Sequence, residues 1–82
     1  MRLIVTPKAL RQLARLPKSD QVKVKKKFFA IEKNPFLGKK LGGELAGQYS
    51  LRVWPYRVLY IIEEGQGRIY VVSVIHRQGA YK

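Results

Sequence analysis

Cysteine is absent from this chain, and histidine occurs once, as His76. The missing thiols exclude disulfides, thiol nucleophiles and thiolate metal sites, and a single histidine with no cysteine excludes ordinary zinc centres. Acidic residues are nearly as scarce, with 5 Asp+Glu among 82 residues. Two-metal catalysis needs several oxygen ligands converging on ions roughly 3.5–4 Å apart. Asp20 reads as a helix cap, Glu32 falls late in a helix, and Glu63 and Glu64 occupy a turn, which leaves Glu44 alone in a glycine-rich stretch. No metal or other cofactor is expected. No apolar run approaches the roughly 20 residues of a membrane span. The opening MRLIVTPK has no signal-peptide apolar segment, so a cytoplasmic protein is expected.

What the chain has in excess is positive charge: 17 Lys+Arg against the five acids give +12. Such an imbalance draws the chain toward phosphate backbones or acidic proteins and strains the free monomer by self-repulsion. Lys23, Lys25, Lys26 and Lys27 form a dense basic helix face without acidic partners, and Lys39 and Lys40 add a second cluster. All six are candidate RNA- or ribosome-binding residues that touch phosphates without reading sequence. At 46% hydrophobic and 27% charged, the composition is that of a folded domain rather than a disordered one. One small domain spanning residues 1–82 is expected.

Residues 2–6, RLIVT, are β-branched and apolar and predict a strand. Pro7 suits a helix first turn, and Leu10, Leu13, Ala14 and Leu16 recur at helical spacing over residues 7–16. After Pro17, Ser19 or Asp20 is the expected cap of a second helix reaching about Lys33. Val24, Phe28 and Ile31 supply its buried stripe, with Val22 and Phe29 alongside. The short link between the helices predicts an antiparallel helical hairpin. Residues 36–48, with four glycines, read as a loop. Three strands follow over about 49–54, 56–63 and 68–75, broken at Pro55 and at EEGQG. The expected fold is α+β: an N-terminal strand, a helical hairpin and a three-stranded antiparallel meander with the helices on one sheet face.

Chemistry has few places to reside. A phosphodiester cleaver without metal must find its nucleophile elsewhere, and RNA carries one in the 2′-hydroxyl beside the scissile phosphorus. If the chain is a nuclease, its substrate is RNA. The protein must then align that oxygen, neutralise phosphate charge and manage two protons. Arg52 and Arg57 flank the Pro55 turn, and Arg77 follows the last strand. A guanidinium binds two phosphate oxygens at once, and an antiparallel sheet can bring these positions onto one surface. Against this stands the usual fate of a strand-end arginine, simple exposure. Arg57, embedded in PYRVLYII, fits that fate least well. His76 is the one side chain whose ordinary pKa, about 6.5, suits proton transfer both ways near neutrality. Tyr81 can stack on a base or anchor the tail. Trp54 can stack too, although a core role on an edge strand is the expected one.

The segment LGGELAGQYSLRVWPYRVLYII, its YRVLY core and the terminal SVIHRQGAYK resemble the RelE/ParE superfamily, the toxin components of toxin–antitoxin pairs. The resemblance covers nearly the whole chain. A RelE-like member is implied to be an mRNA interferase, a metal-independent endoribonuclease that cuts messenger RNA on the ribosome by 2′-hydroxyl attack, arresting translation. By the same resemblance Arg52, Arg57, His76, Arg77 and Tyr81 are the implied catalytic residues. Ser50 stands where relatives often carry a first basic residue. His76 is expected to move the proton while Arg57 and Arg77 hold transition-state charge, since an arginine pKa above about 12 suits proton transfer poorly. The implied partners are the ribosome and an acidic antitoxin that folds around the toxin in a hetero-oligomer. Two alternatives stay open: a ParE-like inhibitor of DNA gyrase without nuclease activity, and an inactive RNA- or ribosome-binding module.

Overall fold

The computed structural model describes residues 1–77. Strand β1 (Arg2–Val5) leads into helix α1 (Pro7–Ala14), which begins where expected: the Thr6 hydroxyl accepts the Ala9 amide at 3.3 Å, and Pro7 occupies the first turn. The helix stops at Ala14, two residues short of the expected Leu16. Helix α2 spans Lys18–Lys33. Its N-cap is Pro17 rather than Ser19 or Asp20, and no side chain caps it. Asp20 is drawn away because its carboxylate accepts the Tyr56 hydroxyl at 2.7 Å.

Strands β3 (Gln48–Val53), β4 (Tyr56–Glu63) and β5 (Arg68–His76) form the expected meander, joined by a Trp54–Pro55 turn with a cis peptide and by a 3₁₀ turn at Glu64–Gln66. The 36–48 segment departs from the all-loop expectation. It contains a two-residue strand, β2 (Lys39–Lys40), and a 3₁₀ turn at Gly43–Leu45. The sheet therefore has five strands in the order β1-β5-β4-β3-β2, mixed because β1 runs parallel to β5.

Cross-strand partners share a face, so the register sorts the side chains. Tyr49, Leu51 and Val53 of β3 oppose Tyr60, Val58 and Tyr56 of β4, and these turn toward the helices. Val24, Phe28 and Ile31 of α2 and Ala9 and Leu13 of α1 complete that core. Val22 and Phe29 do not join it, with Phe29 67% exposed. Trp54, expected in the core, is 56% exposed. A turn residue has no strand neighbour on both sides to cover an indole.

Helix α1 has a second task. Beyond Val71, β5 has no β1 partner, and there Gln12 accepts the Val74 amide at 2.7 Å and the Ser73 hydroxyl at 3.2 Å. On the far side of β1, the Leu3 amide donates to Glu32 of α2 at 3.1 Å. Both are backbone donors that would otherwise face outward.

Candidate functional site

Arg52 and Arg57 are direct cross-strand partners on the sheet face turned away from the helix core. The Arg77 amide donates to the Pro55 carbonyl at 2.8 Å. By the alternation of antiparallel ladders, Arg57 then directs its backbone polar groups toward β5. Against β3, the Arg52–Arg57 pair is of the non-hydrogen-bonded kind, with Cα atoms roughly 4.5 Å apart and side chains at their closest. Like charges directly opposed destabilise a sheet, and an anion between them removes that penalty.

The pair borders a cleft of ≈ 490 Å³. Its other walls are Ser50, Leu51 and the Leu37–Leu41 stretch, from which Leu37, Gly38, Lys39 and Leu41 contribute. Ser50 is 6% exposed and opposes Lys39 in the register, which puts Lys39 on the arginine face. Lys40 opposes Tyr49 and belongs to the other face.

Tyr60 fixes this wall from below. Fully buried, it donates its hydroxyl to the Pro35 carbonyl and accepts the Gly38 amide, both at 2.8 Å. Burial raises the Tyr60 pKa above its ordinary 10.0. A Cβ on Gly38 would lie 2.7 Å from that hydroxyl and 3.0 Å from the Ser50 carbonyl, so only glycine lets the segment approach so closely.

His76 and Arg77 stand at the end of the sheet. His76 opposes Tyr56, and their rings meet edge to face at 5.7 Å. It thus shares the side of Tyr56, opposite to Arg52 and Arg57. The reason is a bulge where the register steps between Leu59 and Tyr60: Ile69 and Val71 face the helices before it, and Val74 and His76 after it. The Arg77 guanidinium stacks 4.8 Å from the Trp54 ring, a contact worth about 0.5–1 kcal/mol at an exposed site.

A second polar cluster braces the same end. Lys23 donates to the Trp54 carbonyl at 3.0 Å and pairs with Asp20 at 3.4 Å. The Tyr56 hydroxyl, and then Lys23, lower the Asp20 pKa; the same hydrogen bond raises that of Tyr56.

Of the sequence-predicted set, the cleft unites Arg52 and Arg57. His76 stands on the opposite face beside Tyr56, Arg77 lies against Trp54 at the sheet end, and neither lines the cleft. Tyr81 lies outside the described residues. Lys25, Lys26 and Lys27 are exposed on α2, as is Lys23 nearer the turn. Sequence reasoning named Lys39 as an RNA- or ribosome-binding candidate but missed the roles of Gln12 and Tyr60, which no sequence signal marked. Among the described residues, no three His, Asp or Glu side chains gather as a metal site, and no helix is long and apolar enough to cross a membrane.

Known proteins share the fold. A family model described as the ParE toxin of the type II toxin–antitoxin system parDE matches residues 3–81. The chain is 36% identical over 80 residues to Toxin RelE of Mycobacterium tuberculosis (strain ATCC 25618 / H37Rv), covering 95% of this chain and 82% of the relative. The fold superposes on the RelBE2 toxin–antitoxin complex of M. tuberculosis with a TM-score of 0.87 and 33% identity, covering 93% of this chain and 96% of that one. The archaeal RelE–RelB complex of Pyrococcus horikoshii OT3 shares the fold at a TM-score of 0.80 and 23% identity, covering 96% and 97% of the two chains. On the family match across residues 3–81, the 36% identical relative and the shared fold, the chain belongs to the RelE/ParE superfamily of type II toxin–antitoxin toxins, on its RelE-like side.

Proposed function

We propose that the chain is a ribosome-dependent messenger-RNA endoribonuclease that needs no metal. The observation that carries this reading is the directly opposed Arg52–Arg57 pair on an open cleft. Two neighbouring guanidiniums suit a phosphate whose charge grows as the 2′-oxygen attacks phosphorus. The P–O5′ bond then breaks, giving a 2′,3′-cyclic phosphate and a 5′-hydroxyl. The 2′-hydroxyl surrenders a proton and the leaving 5′-oxygen gains one. We assign the proton transfer to His76 at the end of the sheet, with Arg77 adding charge there and Tyr81 stacking on a base. The lysines of α2 rest on ribosomal RNA.

The chain acts in the cytoplasm, where the ribosome is. The M. tuberculosis relative is seen in the toxin–antitoxin complex RelBE2 and the archaeal one in a RelE–RelB complex. We assign this chain an acidic antitoxin that neutralises the +12 surface in a hetero-oligomer. A second reading, inhibition of DNA gyrase, draws support from the ParE description of the matching family model.

Primer extension on translated messages after brief expression separates the two. Cuts within codons are expected, and Arg57→Ala is expected to slow them by about 10²–10³-fold. Gyrase-linked DNA breaks with intact messages would replace the nuclease reading by the second. Near-normal cleavage by His76→Gln would remove His76 from proton transfer while leaving the arginine cleft in place.

A further inference from the structure

We propose that Lys39 is a catalytic phosphate contact, its ammonium binding the scissile phosphate from β2 beside the guanidiniums of Arg52 and Arg57. The inference rests on the RNA-cleavage reading above and adds a residue to its machinery. Lys39 opposes Ser50 and lines the same cleft as both arginines. It is also a diagonal neighbour of Arg52, a separation of roughly 7–8 Å that long side chains bridge. Ser50 brings no charge to the cleft floor, so the cation next to that position comes from the adjoining strand.

A lysine on a two-residue strand needs an anchored backbone to act reproducibly, and this one has it. The preceding Gly38 amide donates to Tyr60 at 2.8 Å, and the following Leu41 amide donates to the Gln48 carbonyl at 2.8 Å. The segment is thus fastened on both sides of the lysine pair. Lys40, on the opposite face, does not line the cleft. An ammonium on a flexible stem complements two planar guanidiniums, because it can follow the phosphate oxygens as the geometry at phosphorus changes.

Single-turnover cleavage of message on programmed ribosomes, with thermal melting of each variant, tests the assignment. Lys39→Ala is expected to lower the cleavage rate about 10²-fold. Lys39→Arg should retain most of the rate, and Lys8→Ala on α1 should change it little. Moving the cation back to β3 in the double variant Lys39→Ala/Ser50→Lys should recover at least tenfold of the loss. Wild-type cleavage by Lys39→Ala, with Arg57→Ala still impaired, would overturn the Lys39 assignment alone. So would a double variant that melts like the parent yet stays as slow as Lys39→Ala, or a Lys39→Arg variant equally slow. Failure of the wild-type chain to cut any message would overturn the nuclease reading together with it.

Discussion

At the residue scale, two tyrosine hydroxyls govern how the cleft is held. Tyr60 satisfies the part-buried Pro35 carbonyl and the Gly38 amide at once. Tyr60→Phe leaves both without a partner and is expected to lower unfolding free energy by about 1–3 kcal/mol, measured by urea denaturation. The 36–48 segment should loosen with it, so cleavage should fall as well. Tyr56 and Asp20 set a pH dependence. The folded-state pKa of Asp20 lies below its ordinary 3.8, so its stabilisation is present above that value and lost as pH falls through the folded value. The Tyr56 pKa is raised above 10.0, so its share is present below about 10 and lost as pH rises through the raised value. Melting temperature should therefore hold a plateau between these limits. Asp20→Asn should flatten the acid limb of that profile; an unchanged limb would remove Asp20 from it.

At the element scale, most of the fold was legible. The β-branched content and breaks at Pro55 and EEGQG define β3, β4 and β5 almost to the residue. Strand β2 was not legible, because two lysines beside glycines carry no strand preference and pair only through the neighbouring β3 ladder. The helical stripe was overextended: Val22 and Phe29 lie close to Val24 and Phe28 in sequence but turn outward. Arg52 and Arg57 were legible as neighbours since a two-residue turn joins their strands. His76 was not, for alternation continued from Ile69 and Val71 puts it with the arginines until the bulge reverses the parity. Gln12 shows a further limit, since nothing in ALRQLARL marks one polar residue as the cover for a strand edge. Gln12→Ala strips the Val74 amide of its acceptor and is expected to cost about 1–3 kcal/mol in unfolding free energy. A cost near zero would mean that water replaces the glutamine there.

At the scale of the whole molecule, charge dominates. A surface at +12 should bind RNA or ribosomes with strong salt sensitivity, each phosphate contact contributing about 0.7–0.9 to the logarithmic slope. Titration at several salt concentrations should show affinity falling steeply, and an unchanged affinity would contradict the electrostatic account. The same field is the ground for proposing that the antitoxin is acidic, since such a partner would lift self-repulsion across the basic faces together.

The outermost strands of the sheet have a consequence of their own. One rim is only four residues long, and the carboxylate of Glu32 occupies its outward Leu3 donor; the other rim is two lysines. Neither offers the long, flat, apolar template on which copies of a β-protein polymerise. Protection from fibril growth is built into the rims, where it persists even when salt or a bound polyanion has silenced electrostatic repulsion.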